Sequence, residues 1–401
     1  MNIKNNIEII KLDDQGRGIS YIDNKITFIP NTLINEIVDV EIIKSTNKYN
    51  IGKVIKYIKK SYNRIDYICP YYKLCGGCSL QHLNYDDQIN YKKEKLSNIL
   101  KKFANIETNI NVIKNKNIFG YRNKIELKIE NRNWGYYNNN THDFISINKC
   151  LLASYSINKV IEYKDFFNIN NGNIIIRSNY NDEILISINT NDKIEIDIDN
   201  LKECIKLVGI IVNNKVYYGE EFFIEKINKK LFKVNYNSFF QVNINVTKEM
   251  INILSDNSYG NTLLDLYCGV GFLGQCIDYK YDKIYGIELN ENSILDAIKN
   301  ANLNNINNTY FICGDSSKIS KINDIIDTII IDPPRTGLVG KLVNDVINTN
   351  AKKVLYVSCN PITLARDLNI LKEKYNIEQV YLLDMFSNTY HVESICVLER
   401  K

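Results

Sequence analysis

Asp265-Leu266-Tyr267-Cys268-Gly269-Val270-Gly271-Phe272-Leu273-Gly274 decides the fold. An apolar run, LLDLY, meets three glycines and then a helical stretch. Glycines there let the backbone approach a ligand at the carboxyl end of a strand. Outward from this point the apolar runs KIYGIEL, TIIID, VLYVSC and SICVLE follow, separated by helical stretches. That alternation predicts a parallel sheet with helices on both faces, an α/β domain over residues 236–401. Gly269, Gly271 and Gly274 fit GxGxxG, which taken alone points to a nicotinamide dinucleotide. The acids point elsewhere. Asp265 precedes the first glycine by four residues. Glu288 closes the next apolar run, placed to accept both hydroxyls of a ribose. Asp315 closes the run after it.

Two more strand ends carry chemistry. Ile331-Asp332-Pro333-Pro334-Arg335 follows TIII. Two prolines forbid the strand from continuing and hold Asp332 at the carboxyl edge, where open α/β sheets bind ligands. Val357-Ser358-Cys359-Asn360-Pro361 ends the next run in the same way, with a helix expected from about Thr363. A lone cysteine is commonly just a small buried hydrophobe. The strand end, the Asn-Pro stop and a helix N-terminus that favours a thiolate point instead to a nucleophile. Glu393, in HVESICVL just before the last run, is the acid placed to act as a base.

SFFQVN (Ser238 to Asn243), DLYCGVGFLG, IDPPRTGL, SCNPITLARDL and HVES, in this order, resemble the RNA uracil-5-methyltransferases. The resemblance implies a class I, Rossmann-like domain that uses S-adenosylmethionine. It implies Cys359 as the nucleophile, Glu393 as the base and Asp332 as a contact to the target uracil. Gln241, Asp265, Tyr267, Gly269, Gly271, Glu288, Asp315 and Asp332 are then the expected cofactor residues. A thiol suits this chemistry. Carbon 5 of uracil is a poor nucleophile until a thiolate at carbon 6 makes an enolate. The carbon 5 proton must then leave before the cysteine can.

Residues 1–62 read as the short strands of a five-stranded barrel, with EIVDVEII (Glu36 to Ile43) alternating and a turn at Asp13 to Gly18. This part resembles the TRAM domain, an RNA-binding OB-like module, with Asn35 standing where a glycine is usual. Lys44, Lys48, Lys53, Lys56, Lys59, Lys60 and Arg64 follow with no acid among them. With a net charge of only +4, contact with a polyanion must be local. These basics are the candidates for RNA phosphates, although a solvated strand face explains them equally.

In the expected central domain, residues 63–235, Cys69, Cys75 and Cys78 form C-x5-C-x2-C. Spacing alone leaves zinc and a [4Fe–4S] cluster open, since both accept four cysteines. The CGGC-x2-QH stretch resembles the iron–sulfur members of the family. That resemblance implies a [4Fe–4S] cluster with Cys150 as the fourth ligand and His82 outside the ligand set. Cys204, Cys268, Cys276, Cys313 and Cys396 are expected to be structural. A TRAM domain plus a cluster looks like the 23S ribosomal RNA branch. Transfer RNA is the alternative substrate, and an iron–sulfur RNA-binding redox sensor without methyl transfer is a further one. A helix is expected near 86–103, with Leu96, Ile99, Leu100 and Phe103 packed on the catalytic domain, and a hairpin turn near Asn179 to Asp182.

The composition, 45% hydrophobic and 24% charged, is that of a globular protein. Ten cysteines without an apolar signal segment argue against a disulfide framework. With no stretch apolar enough for a membrane, the expected location is the cytoplasm. The sequence points to no protein partner.

Overall fold

The computed structural model describes residues 2–138 and 141–401. The chain divides into two compact units. The first is Met1–Lys95 with Tyr137–Ile145 and Phe386–His391; the second is Leu96–Tyr136, Ser146–Met385 and Val392–Lys401. These units cut across the three segments read in the sequence. Most of the central segment belongs with the catalytic sheet, and the physical reason lies in residues 96–113. The helix Tyr85–Ala104 gives Leu96, Ile99, Leu100 and Ala104 to the core of the second unit, and Ile110–Ile113 adds a strand to its sheet.

The first unit holds a six-stranded sheet in the order Ile3–Glu8, Ile37–Ser45, Tyr49–Lys59, Lys25–Ile29, Gly18–Ile22, Lys11–Leu12. Its core is Ile9, Ile29, Val38 and Val40. The expected five strands become six because the two-residue strand Lys11–Leu12 pairs with Gly18–Ile22. Asn35 has φ +66°. Left-handed backbone suits glycine, and asparagine tolerates it better than most residues, so the exchange keeps the turn.

The lysine run is more mixed than its sequence. All six lysines are exposed. The antiparallel register, however, sets Asp39 opposite Lys56 and Glu41 opposite Lys53. Arg64 does not belong with them. Its guanidinium donates to both carboxylate oxygens of Glu36, at 2.5 and 2.7 Å, and stacks over Tyr57. Glu36 is fully buried, so Arg64 is its counter-charge and not a free phosphate ligand.

The second unit is built on an eight-stranded sheet. Its order is Thr309–Cys313, Lys283–Glu288, Thr262–Leu266, Thr328–Ile331, Lys353–Ser358, Glu393–Arg400, Tyr375–Leu383, Ile110–Ile113. The first five strands are parallel, as the alternation predicts. Glu393–Arg400 is not: it runs antiparallel to both neighbours. No helix separates it from Tyr375–Leu383, and a direct return makes antiparallel pairing. A further sheet contains the hairpin Gly172–Ser178 and Glu183–Asn189, turned at Asp182 with φ +60°.

Candidate active site at the carboxyl edge of the sheet

The strand Thr262–Leu266 is fully buried and stops at Tyr267, whose φ of +61° turns the chain sharply. Gly269 and Gly271 follow at +53° and +73°, and Gly271 caps the short helix Phe272–Cys276. A Cβ on Gly269 would point into open space, whereas one on Gly271 would meet the side-chain amide of Gln275. Gly269 thus leaves room for a ligand, and Gly271 is favoured by its left-handed φ of +73°. Asp265 is buried. Its Oδ2 accepts from the Gly274 amide at 2.9 Å, and its Oδ1 has no partner. Burial pushes the Asp265 carboxyl up to about 7; the Gly274 N–H works against this, and Asp332 and Glu288 add to it.

Glu288 ends its strand and accepts from the Gly269 and Asn290 amides at 3.2 and 2.9 Å. Asp315 lies two residues past its strand and caps the turn Ser316–Lys321. Bonds from the Ser317 hydroxyl and amide hold its carboxyl below the usual range. A cavity of about 380 Å³ is lined by Tyr267, Glu288, Asp315, Lys341 and Asp345, among others. That volume is within the range of small-molecule sites, roughly 300–1,000 Å³. A smaller one, about 50 Å³, is lined by Phe240, Gln241, Asp265, Tyr267, Gly269 and Asp332. Tyr267 lines both cavities. An open glycine, an orphaned carboxylate oxygen and an acid at each strand end fit a cationic, ribose-bearing cofactor.

Cys359 and Glu393 meet through sheet register. Ser358 pairs with Ser394 across the antiparallel strands, and the Ser394 hydroxyl donates to the Ser358 carbonyl at 3.1 Å. One step further along this pair of strands stand Cys359 and Glu393. Opposed residues of such strands lie roughly 5 Å apart. Glu393 is buried and is the first residue of its strand, not a residue before it. Burial, with Asp332 second, holds its carboxyl well above the usual range. Asp332, just past Thr328–Ile331, is itself pushed up to about 7 by burial.

The thiol of Cys359 corrects an expectation. The following helix begins at Pro361, with Asn360 as its cap. Its N-terminus does not leave a thiolate. Burial pushes the thiol up to about 11; Glu393 and Asp332 add to that, while the charge of Arg335 and its bond to the sulfur oppose it. In this resting arrangement Cys359 is protonated near neutral pH.

Residues 84–401 match the profile of the family described as tRNA (Uracil-5-)-methyltransferase, and residues 5–55 match the TRAM domain. The chain belongs to the RNA uracil-5-methyltransferase family. An RNA methyltransferase of uncharacterised role from Clostridium tetani is 33% identical over 98% of this chain and 95% of its own length. One from Staphylococcus aureus is 31% identical over 99% of both chains. The crystal structure of Pyrococcus abyssi tRNA (uracil-54, C5)-methyltransferase with S-adenosyl-L-homocysteine is 27% identical, with a TM-score of 0.82. The match covers 98% of this chain and all of that one. Membership makes this chain an S-adenosylmethionine-dependent RNA methyltransferase of the uracil-5 type, with a TRAM domain at its N-terminus.

Within this family site, the sequence reading passed over three residues. Arg335, the last residue of DPPR, favours the Cys359 thiolate through its charge and its bond to the sulfur. Arg366 and Asp367, in the ARDL of SCNPITLARDL, hold the loop that follows DPPR in place. Arg366 donates to the Thr336 and Leu338 carbonyls at 3.0 and 2.8 Å. The Asp367 carboxylate accepts from the Leu338 amide and the buried Tyr356 hydroxyl at 2.8 and 2.7 Å. The signal was an Arg-Asp pair one turn inside the helix after the cysteine.

The cysteine region lies in the first unit. Cys75 ends the short helix Tyr72–Cys75, capped by Gly76 at φ +70°, and Cys78 follows after Gly77. Among the described residues no group of three or more His, Cys, Asp or Glu side chains is arranged to hold a metal. Yet the surroundings suit an acceptor. Gln81 takes the Cys69 amide on Oε1 at 3.4 Å, and its buried Nε2 and the buried Ser79 hydroxyl have no partner. His82 is committed elsewhere: its Nδ1 lies 2.5 Å from the Tyr72 hydroxyl, and burial holds the ring neutral, at about 3. Cys150 belongs to the second unit. Of the cysteines expected to be structural, Cys268, Cys276 and Cys396 are buried, Cys204 is partly buried, and Cys313 is exposed at a strand end.

Proposed function

We propose that Cys359 adds to carbon 6 of a target uridine and that Glu393 removes the proton from carbon 5. The observation that carries this reading is the opposition of Cys359 and Glu393 at adjacent strand ends. S-adenosylmethionine supplies an electrophilic methyl group. Cys359 passes its proton to solvent and bonds to carbon 6, the ring becomes an enolate, and carbon 5 takes the methyl as the sulfonium carbon–sulfur bond breaks to leave a neutral thioether. Glu393, ionised by then, takes the carbon 5 proton. The electron pair re-forms the ring double bond and expels the cysteine sulfur. Asp332 contacts the uracil and, with Gln241, Asp265, Tyr267, Gly269, Gly271, Glu288 and Asp315, the cofactor. A cation in the smaller cavity would draw the Asp265 and Asp332 carboxyls back toward ionisation. Cys359→Ala abolishes methyl transfer and the covalent adduct with 5-fluorouridine RNA. Full activity in that variant overturns the assignment.

The proposed substrate is 23S ribosomal RNA, supported by the resemblance of the barrel-plus-cysteine arrangement. The likeness to the Pyrococcus enzyme favours transfer RNA as a second reading. Mapping 5-methyluridine in both RNAs from cells lacking the protein separates the two. The proposal keeps the functional division 1–62 for RNA binding, 63–235 for the cluster and 236–401 for catalysis, in the cytoplasm. It also assigns Cys69, Cys75 and Cys78 to a [4Fe–4S] cluster, with Cys150 taken from the resemblance alone. The orphaned donors of Ser79 and Gln81 support an electron-rich sulfur acceptor there. Such a cluster would cross-link and order this segment; methylation needs no electron from it. A colourless purified protein holding zinc would falsify the iron–sulfur assignment.

A further inference from the structure

We propose that Lys124 and Arg177 form a site for one phosphodiester group of the RNA, beside the loop that carries Gln241. The proposal rests on the reading of this chain as an enzyme acting on RNA. Lys124–Glu130 and Gly172–Ser178 are antiparallel neighbours, and their register sets Arg177 directly opposite Lys124. Like charges so placed repel. Both are withdrawn from water: Arg177 is only 4% exposed and Lys124 is partly buried.

Among the described residues no carboxylate forms an ion pair with either of them. Arg177 donates one Nη2 bond to the Ser238 carbonyl, and its Nε is buried without a partner. Glu126, next on the same strand face, is joined to Lys128 at 3.2 Å. Among the described residues neither cation has an ion-pair partner. Burial pushes the Lys124 ammonium down to about 8, and Arg177 pushes it the same way, with Glu126 opposing them; burial alone pushes the guanidinium down to about 10. Two opposed cations, with the nearby Glu126 carboxylate paired to Lys128 and the Arg177 Nε unbonded, are an incomplete site. An anion with several acceptor oxygens completes it, and it can bridge a guanidinium and an ammonium at once.

Location names the anion. Arg177 holds Ser238, while Asn123, next to Lys124, donates to the Gln241 and Val242 carbonyls at 3.1 Å each. The loop between these anchors exposes the Phe239 ring, 73% accessible, and turns Gln241 into the cavity it shares with Asp265 and Asp332. Phe239 directly follows Ser238, whose carbonyl Arg177 holds, and an exposed ring on a loop anchored by a cation suits single-stranded RNA: a base stacks and the adjoining phosphate is neutralised. A phosphate here would orient the strand whose base enters the site.

Lys124→Gln is the decisive variant, because the Lys124 ammonium makes no hydrogen bond or ion pair that holds the fold among the described residues. Binding of unmodified tRNA and 23S ribosomal RNA transcripts is measured across a series of salt concentrations. The transcript that wild type binds more tightly is used. Loss of one phosphate contact should lower the slope of log affinity against log salt by about 0.7–0.9. Affinity at low salt should fall with it, while binding of S-adenosylmethionine stays unchanged. An unchanged slope, with or without weaker binding, overturns the site while leaving the RNA reading intact. Failure of wild type to bind either transcript overturns that reading as well.

Discussion

At the carboxyl edge of the catalytic sheet, burial holds Asp265, Asp332, Glu393 and Cys359 toward their neutral forms. On the barrel, Lys44, Lys48, Lys53, Lys56, Lys59 and Lys60 all stand in water. The first region gathers acids that repel one another, so each proton gained or lost changes its neighbours. The second spreads cations that act nearly independently and are screened by salt. Burial makes charge a chemical variable; exposure makes it an additive contribution to affinity.

Three measurements can break or sharpen that contrast. The largest effect belongs to Glu393→Gln. With no base to take the carbon 5 proton, turnover should fall by roughly 10²–10⁴, and the Cys359 adduct should accumulate on RNA. Rapid turnover without adduct would mean that another group is the base.

A smaller effect is expected in the pH profile. The thiolate is the reactive form and the thiol stands near 11, so methyl transfer should rise with pH from neutral into the alkaline range. Glu393, raised above the usual range and needed ionised, contributes in the same direction. Arg335→Gln removes the cation that favours the thiolate. The rising limb should move up by about one pH unit, a fall of about tenfold at neutral pH. An unmoved limb would show that Arg335 does not set the thiol.

The smallest effect lies on the barrel. Lys59→Gln and Lys60→Gln should each lower the salt slope of RNA binding by at most about 0.9 and leave the rate at saturating RNA unchanged. Lys53→Gln and Lys56→Gln should do less, because Glu41 and Asp39 stand opposite them. Equal effects at all four positions would show that those acids play no part.

Strand ends were legible because they are marked locally. Glycines, Asp-Pro-Pro and Asn-Pro stop a strand wherever it lies, so Gly269, Asp332 and Cys359 could be placed at a carboxyl edge from spacing alone. Arg64 shows the limit. It reads as one more basic residue of a run, and only the fold supplies its partner, Glu36, far back in the chain. The pair Lys124 and Arg177 was equally hidden, since neither residue is unusual until the strands align.

By itself the sequence determined which residues are available for chemistry, in what order, and that the core is an α/β sheet ending in acids and one thiol. Periodicity and turn residues are local properties, and they survive without contacts. Only the tertiary structure decided that Glu393–Arg400 runs antiparallel, which brings Glu393 across from Cys359. It also decided that this thiol rests protonated rather than as a thiolate. Register and desolvation arise between segments distant in the chain, and no local pattern records them.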